Sequence, residues 1–305
     1  MMNKKGLTIS FVIEAESANY GEGVGNVTAL KKLTRGTGDS YTYISRQALR
    51  YNIIQQMGED RTPLQVDGSV IQFAIDASID VYPEIDLFGY MKTSKSEGTK
   101  TRAAIVRLSN AIALESFQAD IDFLTNKSLF DRYVKATKDS AEDEKKGGNI
   151  AQSEIHHTYY TYTITLDLDR VGIDENGNSE GNVIEISNEQ KAERVQLLIR
   201  TLKYLYRDIK GRRENLSPLF AIGGVYDIKN PFFENRIKIK KNRLLTEPLN
   251  AVLALDNHIA QSTKCGLIQG IFDNDQQLIN DLKAVSIGEF FDFIEQQIND
   301  YYKGE

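Results

Sequence analysis

Hydrophobic and polar positions alternate near the start of the chain. Leu7, Ile9, Phe11 and Ile13 are separated by Thr8, Ser10 and Val12, the two-residue period of a strand. Thr158–Leu168 alternates in the same way, with Tyr160, Tyr162, Ile164, Leu166 and Leu168 on one face. Ser69–Ile79 predicts a further strand, ended by Pro83, because proline is poorly tolerated inside a sheet. Leu219–Ile228 is the last clear strand. Elsewhere the period lengthens. Ser45 is placed to cap a helix running to Met57, with Leu49, Ile53 and Met57 inward. Gln190–Lys210 repeats Val195, Leu198, Leu202, Leu205 and Ile209 at helical spacing, with Arg200, Lys203, Arg207 and Lys210 as a basic stripe opposite. Helices are also predicted over Ala103–Leu114 and, through Phe290, Phe291, Phe293, Ile294 and Ile298, over Ser286–Tyr301.

The order is strand, helix, strand, long insertion, strand, helix, strand. That is the split βαβ pattern of an α+β, ferredoxin-like or RNA-recognition-motif-like sheet. Residues 1–79 and 158–230 then form a split palm. Residues 80–157 are an insertion, and residues 231–305 a C-terminal, largely helical appendage. Such a sheet leaves one face free of helices, which suits single-stranded RNA. Within the insertion, Lys92–Lys100 reads as a polar loop and Asp139–Gly148 as a mobile tip.

Composition narrows the function classes. A chain of 305 residues with 41% hydrophobic residues can bury a sizeable core. The single cysteine, Cys265, excludes a disulfide framework and a multi-cysteine zinc site, and reads as a buried thiol. Leu7–Ile13 is too short for a signal peptide, and no apolar run reaches the ~20 residues of a membrane span. A reducing cytoplasm is the expected location. The net charge of −6 opposes nucleic-acid binding if taken alone, but phosphate contacts are local and the charges segregate. One basic segment holds Lys31, Lys32, Arg35, Arg46 and Arg50. A second runs from Arg200 to Arg213, and a third holds Lys229, Arg236, Lys238, Lys240, Lys241 and Arg243.

Catalytic chemistry is sparse. There is no Walker-type phosphate loop, and Gly21, Gly23 and Gly25 do not complete a dinucleotide fingerprint, so they read as a flexible loop. His156 and His157 are neighbours on a strand and point to opposite faces, and His258 is distant. The carboxylates Asp76, Asp80, Glu84 and Asp86, with Asp167 and Asp169, read as loop acids or partners for local cations; magnesium binding is the competing reading. No catalytic set, metal or cofactor is expected. Tyr41 and Tyr43 interleave with the first basic segment, which suits base stacking; a short strand with one tyrosine buried accounts for them equally.

Three stretches carry a resemblance. Tyr41-Thr42-Tyr43-Ile44-Ser45-Arg46-Gln47-Ala48-Leu49-Arg50 resembles the strand-to-helix motif of RAMP-superfamily backbone subunits. Asp86-Leu87-Phe88-Gly89-Tyr90-Met91 resembles that family's Phe-Gly-x-Met element, with Arg102–Leu114 as the helix after it. Thr158–Leu168, Asn188–Lys210 and Leu219–Tyr226 resemble its later strand, helix and strand. The ordered set looks closest to the DevR-like autoregulator branch found in type I-B CRISPR Cascade.

The resemblance implies a hand-shaped subunit with finger and thumb in the insertion. Copies would stack along a guide RNA (crRNA), beside other Cascade subunits, and present it to target DNA without catalysis. It places Lys31, Lys32 and Arg35 near guide phosphates, and Ser45, Arg46, Gln47 and Arg50 at the main backbone-binding helix start. Arg46 and Arg50, four apart, share one helix face. Met91 and Ile150 would be apolar wedges beside a displaced base, which need shape and read no sequence. Two alternatives accompany this reading: a metal-dependent ribonuclease using Asp39, and a regulator binding RNA or duplex DNA.

Overall fold

The computed structural model describes residues 4–21, 23, 27–36, 38–94, 98–137, 150–177 and 182–304. Nine strands form its main sheet: β1 (Gly6–Ala15), β2 (Lys32–Arg35), β3 (Asp39–Ile44), β4 (Val106–Leu108), β5 (Ala111–Ala113), β6 (Thr158–Asp167), β7 (Phe220–Tyr226), β8 (Lys264–Leu267) and β9 (Val285–Ser286). Their order is β9-β8-β7-β1-β6-β5-β3-β2, with β4 also paired to β6. The inner run, β7-β1-β6 followed by β4 and β5, is the antiparallel order of a ferredoxin-like fold.

Three helices cover the first face: α1 (Arg46–Met57), α2 (Asn188–Lys203) and α3 (Ile287–Lys303). Local sequence sets their ends. Ser187 with Gln190 and Ser286 with Glu289 form capping boxes at α2 and α3. Ser45 caps α1, and Gly58 closes it at φ 72°, where a side chain would be strained. Leu7, Ile9, Phe11 and Ile13 of β1 meet Tyr160, Tyr162, Ile164 and Leu166 of β6. Leu49, Val195, Leu198, Phe291 and Ile294 close over them. Each large side chain fully buried here contributes about 1.5–3 kcal/mol relative to exposure.

The other face is not open along its whole width. Val12, Phe220, Ile222 and Tyr226 face it and are buried against Phe233, Ile237, Leu244, Leu249, Ile259 and Leu278. Thr8 and Ser10, polar in pattern, are buried too: Thr8 donates to the Asn230 carbonyl, and Ser10 shares a 2.6 Å hydrogen bond with Thr163. The expected free face is therefore half covered by residues 231–284. The C-terminal residues extend the sheet as β8 and β9 and also supply α3.

Three further elements differ from expectation. The second strand of the ferredoxin-like unit is β4 with β5, where a helix was predicted over Ala103–Leu114. It lies within residues 80–157, inside the span read as insertion. Ser69–Ile79 does not enter the sheet; Val70–Phe73 pairs with Leu64–Asp67 as a separate hairpin. α2 stops at Lys203, and the chain returns as the hairpin Tyr206–Ile209 with Arg212–Asn215, so Gln190–Lys210 is not one helix. The predicted tip Asp139–Gly148 lies outside the described residues.

Candidate nucleic-acid interface

Helix α1 begins on anchored backbone. The Ser45 amide donates to Asn19 Oδ1 at 2.7 Å, and the Arg46 amide donates to Asn110 Oδ1 at 2.9 Å. The Ser45 hydroxyl accepts from the Ala48 amide at 3.3 Å. With the turn fixed, the side chains of Arg46 and Gln47 stand in solvent. Arg50, one turn on, is half-buried with its guanidinium 5.1 Å from the Phe88 ring. Burial pulls that guanidinium below its ordinary value, and the Glu84 carboxylate pulls the other way.

Arg50 and Met91 share a groove of about 440 Å³. Its walls include Leu64, Val70 and Ile71 of the free-standing hairpin, with Phe88 and Gly89. Met91 is 61% exposed, and the three aliphatic side chains are also exposed. Sequence reading missed this apolar wall because a strand inside the sheet was expected there.

Gly89 and Asp86 hold Met91 in place. Gly89 sits at φ 75°, ψ 172°, a region essentially confined to glycine, and a Cβ there would lie 2.7 Å from the Ala104 amide. Three residues earlier, Asp86 is fully buried between two guanidiniums: Arg102 Nη2 at 2.6 Å and Arg194 Nη1 at 2.8 Å. Gly172 donates its amide to both carboxylate oxygens at 3.0 Å. This cluster ties the Pro83–Phe88 helix to α2, and no local motif marks it in the sequence.

The other predicted residues lie in different surroundings. Lys31 is exposed. Lys32 is committed inward, with Nζ 2.6 Å from Glu154 and 4.2 Å from the Phe117 ring centre. Arg35 lies over Tyr41 at 5.6 Å. Ile150 is 48% exposed and opens the strand Ile150–Ile155, which belongs to a separate three-stranded sheet with Asp120–Thr125 and Val27–Thr28. It is not among the residues lining the groove of Arg50 and Met91. Asp39 is exposed at the start of β3.

Much of the second basic segment is neutralised. Arg207 is buried against Glu214, Arg212 binds Glu16 and Glu214, Arg213 binds Asp208, and Arg200 binds Glu295. The predicted basic stripe on a single helix does not form. In the third segment, Lys229 pairs with Asp167 and Asp169, while Arg236, Lys238, Lys240 and Lys241 stand exposed. His156 is buried against Thr42 at 2.8 Å, whereas His157 reaches Glu14 at 3.0 Å. Among the described residues, no group of three or more His, Cys, Asp or Glu side chains could hold a metal ion. No described helix is long and apolar enough to cross a membrane.

Two solved structures share the fold. A chain of a "CRISPR RNA-guided surveillance complex, pre-nicking" superposes with a TM-score of 0.63 at 11% identity, over 97% of this chain and 100% of that one. A chain of a "CRISPR RNA-guided surveillance complex" gives 0.56 at 14% identity, over 95% and 98%. No curated protein sequence matches the chain. The family model described as "CRISPR-associated negative auto-regulator DevR/Csa2" matches residues 7–242, which takes in the ferredoxin-like unit from Leu7 of β1 through β7. The chain belongs to this DevR/Csa2 family.

Proposed function

We propose that the chain is a non-catalytic, guide-RNA-binding backbone subunit of a CRISPR surveillance complex of the Cascade type, acting in the cytoplasm. Its partners are crRNA, neighbouring copies of itself, other Cascade subunits and target DNA. One observation carries the reading: α1 presents Arg46 and Gln47 to solvent at its start, and Arg50, one turn on, lines a groove with an exposed Met91. Cations on one helix face bind successive phosphates, while an apolar side chain takes a displaced base without reading it. Pairing by the guide then reads sequence, and the protein reads backbone. Family membership and the shared fold support the assignment.

The test is binding of a repeat-derived guide RNA over a salt series. Removing two phosphate contacts with Arg46→Ala and Arg50→Ala should weaken binding and lower the salt slope by about 1.4, at roughly 0.7 per phosphate for a single strand. An unchanged slope and affinity would remove these residues from the interface. The family's description as an auto-regulator supports a second reading, binding to duplex DNA. A duplex-DNA shift without guide RNA would favour it. Magnesium-dependent cutting of paired RNA, lost in Asp39→Ala, would instead establish a ribonuclease.

A further inference from the structure

A hairpin within the cover of the second sheet face carries charge that the fold does not use. Residues 235–246 contain five cations and no acid. Among them, Ile239–Lys240 pairs with Arg243–Leu244, with Ile239 opposite Leu244 and Lys240 opposite Arg243. The Leu245 amide donates to the Lys238 carbonyl at 2.9 Å and extends the pairing by one residue. Ile237 and Leu244 are buried and Ile239 packs against the second core. The alternation of a strand then turns Lys238, Lys240 and Arg243 outward, and all three are exposed. Lys241 is exposed at the turn between them.

Two local rules are broken in this hairpin. Like charges directly opposite each other destabilise a strand pair, yet Lys240 faces Arg243. The two-residue turn holds Lys241 at φ 50° and Asn242 at φ 55°, where Asn and Gly are favoured and lysine is not. The turn is firmly held all the same. Asn242 donates to the Ile271 carbonyl at 3.2 Å and to Asp273 Oδ1 at 2.9 Å, and it accepts from the Tyr159 hydroxyl at 3.0 Å. Asn274 accepts from the Leu244 amide at 3.0 Å and donates to the Leu244 carbonyl at 2.8 Å. The acids of the adjoining segment are engaged elsewhere: Asp273 by Asn242, Asp275 by the Gly270 amide and Asp281 by Thr246. Arg243 donates to Gln277 at 3.1 Å. Among the described residues, no ion pair neutralises Lys238, Lys240, Lys241 or Arg243.

We propose that this hairpin is a contact for the phosphate backbone of duplex DNA, with Lys238, Lys240, Lys241 and Arg243 as the cations. The inference rests on the reading above, in which DNA is a partner, and gives the duplex a surface of its own. That surface lies on the opposite sheet face from α1: Leu49 of α1 belongs to the first core, and Ile237 and Leu244 to the second. Lys238 and Lys240, two apart along an extended chain, stand about 6.7 Å from each other. Two axial steps along one strand of a duplex, ~3.4 Å each, match that spacing. A single strand is held by rings open to its bases. The rings beside this turn, Tyr159 and Phe272, pack on each other at 5.6 Å, so the hairpin offers charge and no stacking platform. Backbone contact of that kind is indifferent to sequence.

The full-length chain is titrated into a short fluorescein-labelled DNA duplex of arbitrary sequence over a salt series. Lys240→Gln with Lys241→Gln should weaken binding and lower the salt slope by about 1.8, at roughly 0.9 per phosphate. The same variant should bind repeat-derived guide RNA with an unchanged slope, while Arg46→Ala with Arg50→Ala does the reverse. Its unfolding midpoint should stay level or rise, because a like-charge pair is removed; a fall would make the cations structural and overturn the proposal. An unchanged duplex slope, equal losses for duplex and guide RNA, or no duplex binding by the unmodified protein also overturns it. So does hairpin-dependent binding of labelled oligoglutamate without binding of the duplex, which would assign the surface to an acidic protein. Loss of the guide-RNA arm alone, with the duplex arm as expected, supports the hairpin and removes the guide-binding reading.

Discussion

Replacing Asp86 by alanine removes a carboxylate shared by two buried guanidiniums. Asp86 has no exposed surface, and the side chains of Arg102 and Arg194 are 4% and 9% exposed. Removing one partner of a buried pair costs about 3–5 kcal/mol, because the remaining charge has neither water nor a counter-ion. Here two cations are left, and the Gly172 amide loses its acceptor, which places the loss at the upper end. Carbonyls of Arg170, Ile79 and Asp80 still accept from the guanidiniums and keep it from going higher. With an unfolding entropy of ~2.1 cal/mol/K per residue over 305 residues, the loss corresponds to a fall in Tm of about 5–8 °C. The chain has no tryptophan, so urea and thermal unfolding are best followed by far-ultraviolet circular dichroism. Arg194→Met is the control. It leaves one cation facing one carboxylate and should cost less than Asp86→Ala. The reasoning fails if Asp86→Ala loses under 1 kcal/mol, or if Arg194→Met proves the more damaging.

Two further outcomes follow from local geometry. Gly89→Ala combines a glycine-only backbone conformation with overlap onto the Arg102–Ala104 backbone, and should cost about 3 kcal/mol or more; a loss under about 1 kcal/mol in urea unfolding would contradict it. Burial holds the His156 imidazole below its ordinary value, with Glu115 opposing, so the folded protein binds its proton less readily than the unfolded chain. Stability from this residue is full above pH ~6.5 and is lost as the pH falls toward the depressed folded value, with a slope of at most about 1.4 kcal/mol per pH unit. His156→Gln should flatten the stability profile between pH 7 and 5, and an unaltered slope would assign the acid sensitivity to other groups.

The parts of the fold legible in the sequence are those whose neighbours are regular. β1, β6 and β7 bury one face against helices along most of their length, so their alternation survives in the chain. β4 and β5 are three-residue strands separated by Ser109 and Asn110, too short to show a period. The apolar residues in and just before them, Ile105, Val106, Leu108 and Ile112, mimic helical spacing. The opposite error arises at Ser69–Ile79, where alternation belongs to a hairpin outside the sheet. Leu205 continues the α2 period by coincidence and is buried, but the turn at Tyr204 takes it out of the helix, just before the strand Tyr206–Ile209. The covered face of β1 was hidden because Thr8 and Ser10 are small hydrogen-bonded residues that look solvent-facing. At the candidate site, the Ser45-capped start of α1 was readable from the sequence. The neutralisation of Lys32 by Glu154 and of Arg212 by Glu16 was not, since those acids lie 122 and 196 residues away, and that of Arg207 by Glu214 was not, since it depends on a hairpin read as helix.

Gly224 on β7 has Ser262 of the Asn257–Ser262 helix packed so closely that a Cβ would overlap the Ser262 carbonyl. Contact that tight makes the C-terminal segment the closing piece of a central strand rather than an outlying ornament. During synthesis, β7 emerges well before β8 and the helix that cover it. Until they follow, at roughly 5–20 residues per second, Phe220, Ile222 and Tyr226 and an unpaired strand edge stay open to any passing chain. Copies released before that point would meet through this edge. Translation of the final stretch therefore closes an edge through which incomplete copies would aggregate.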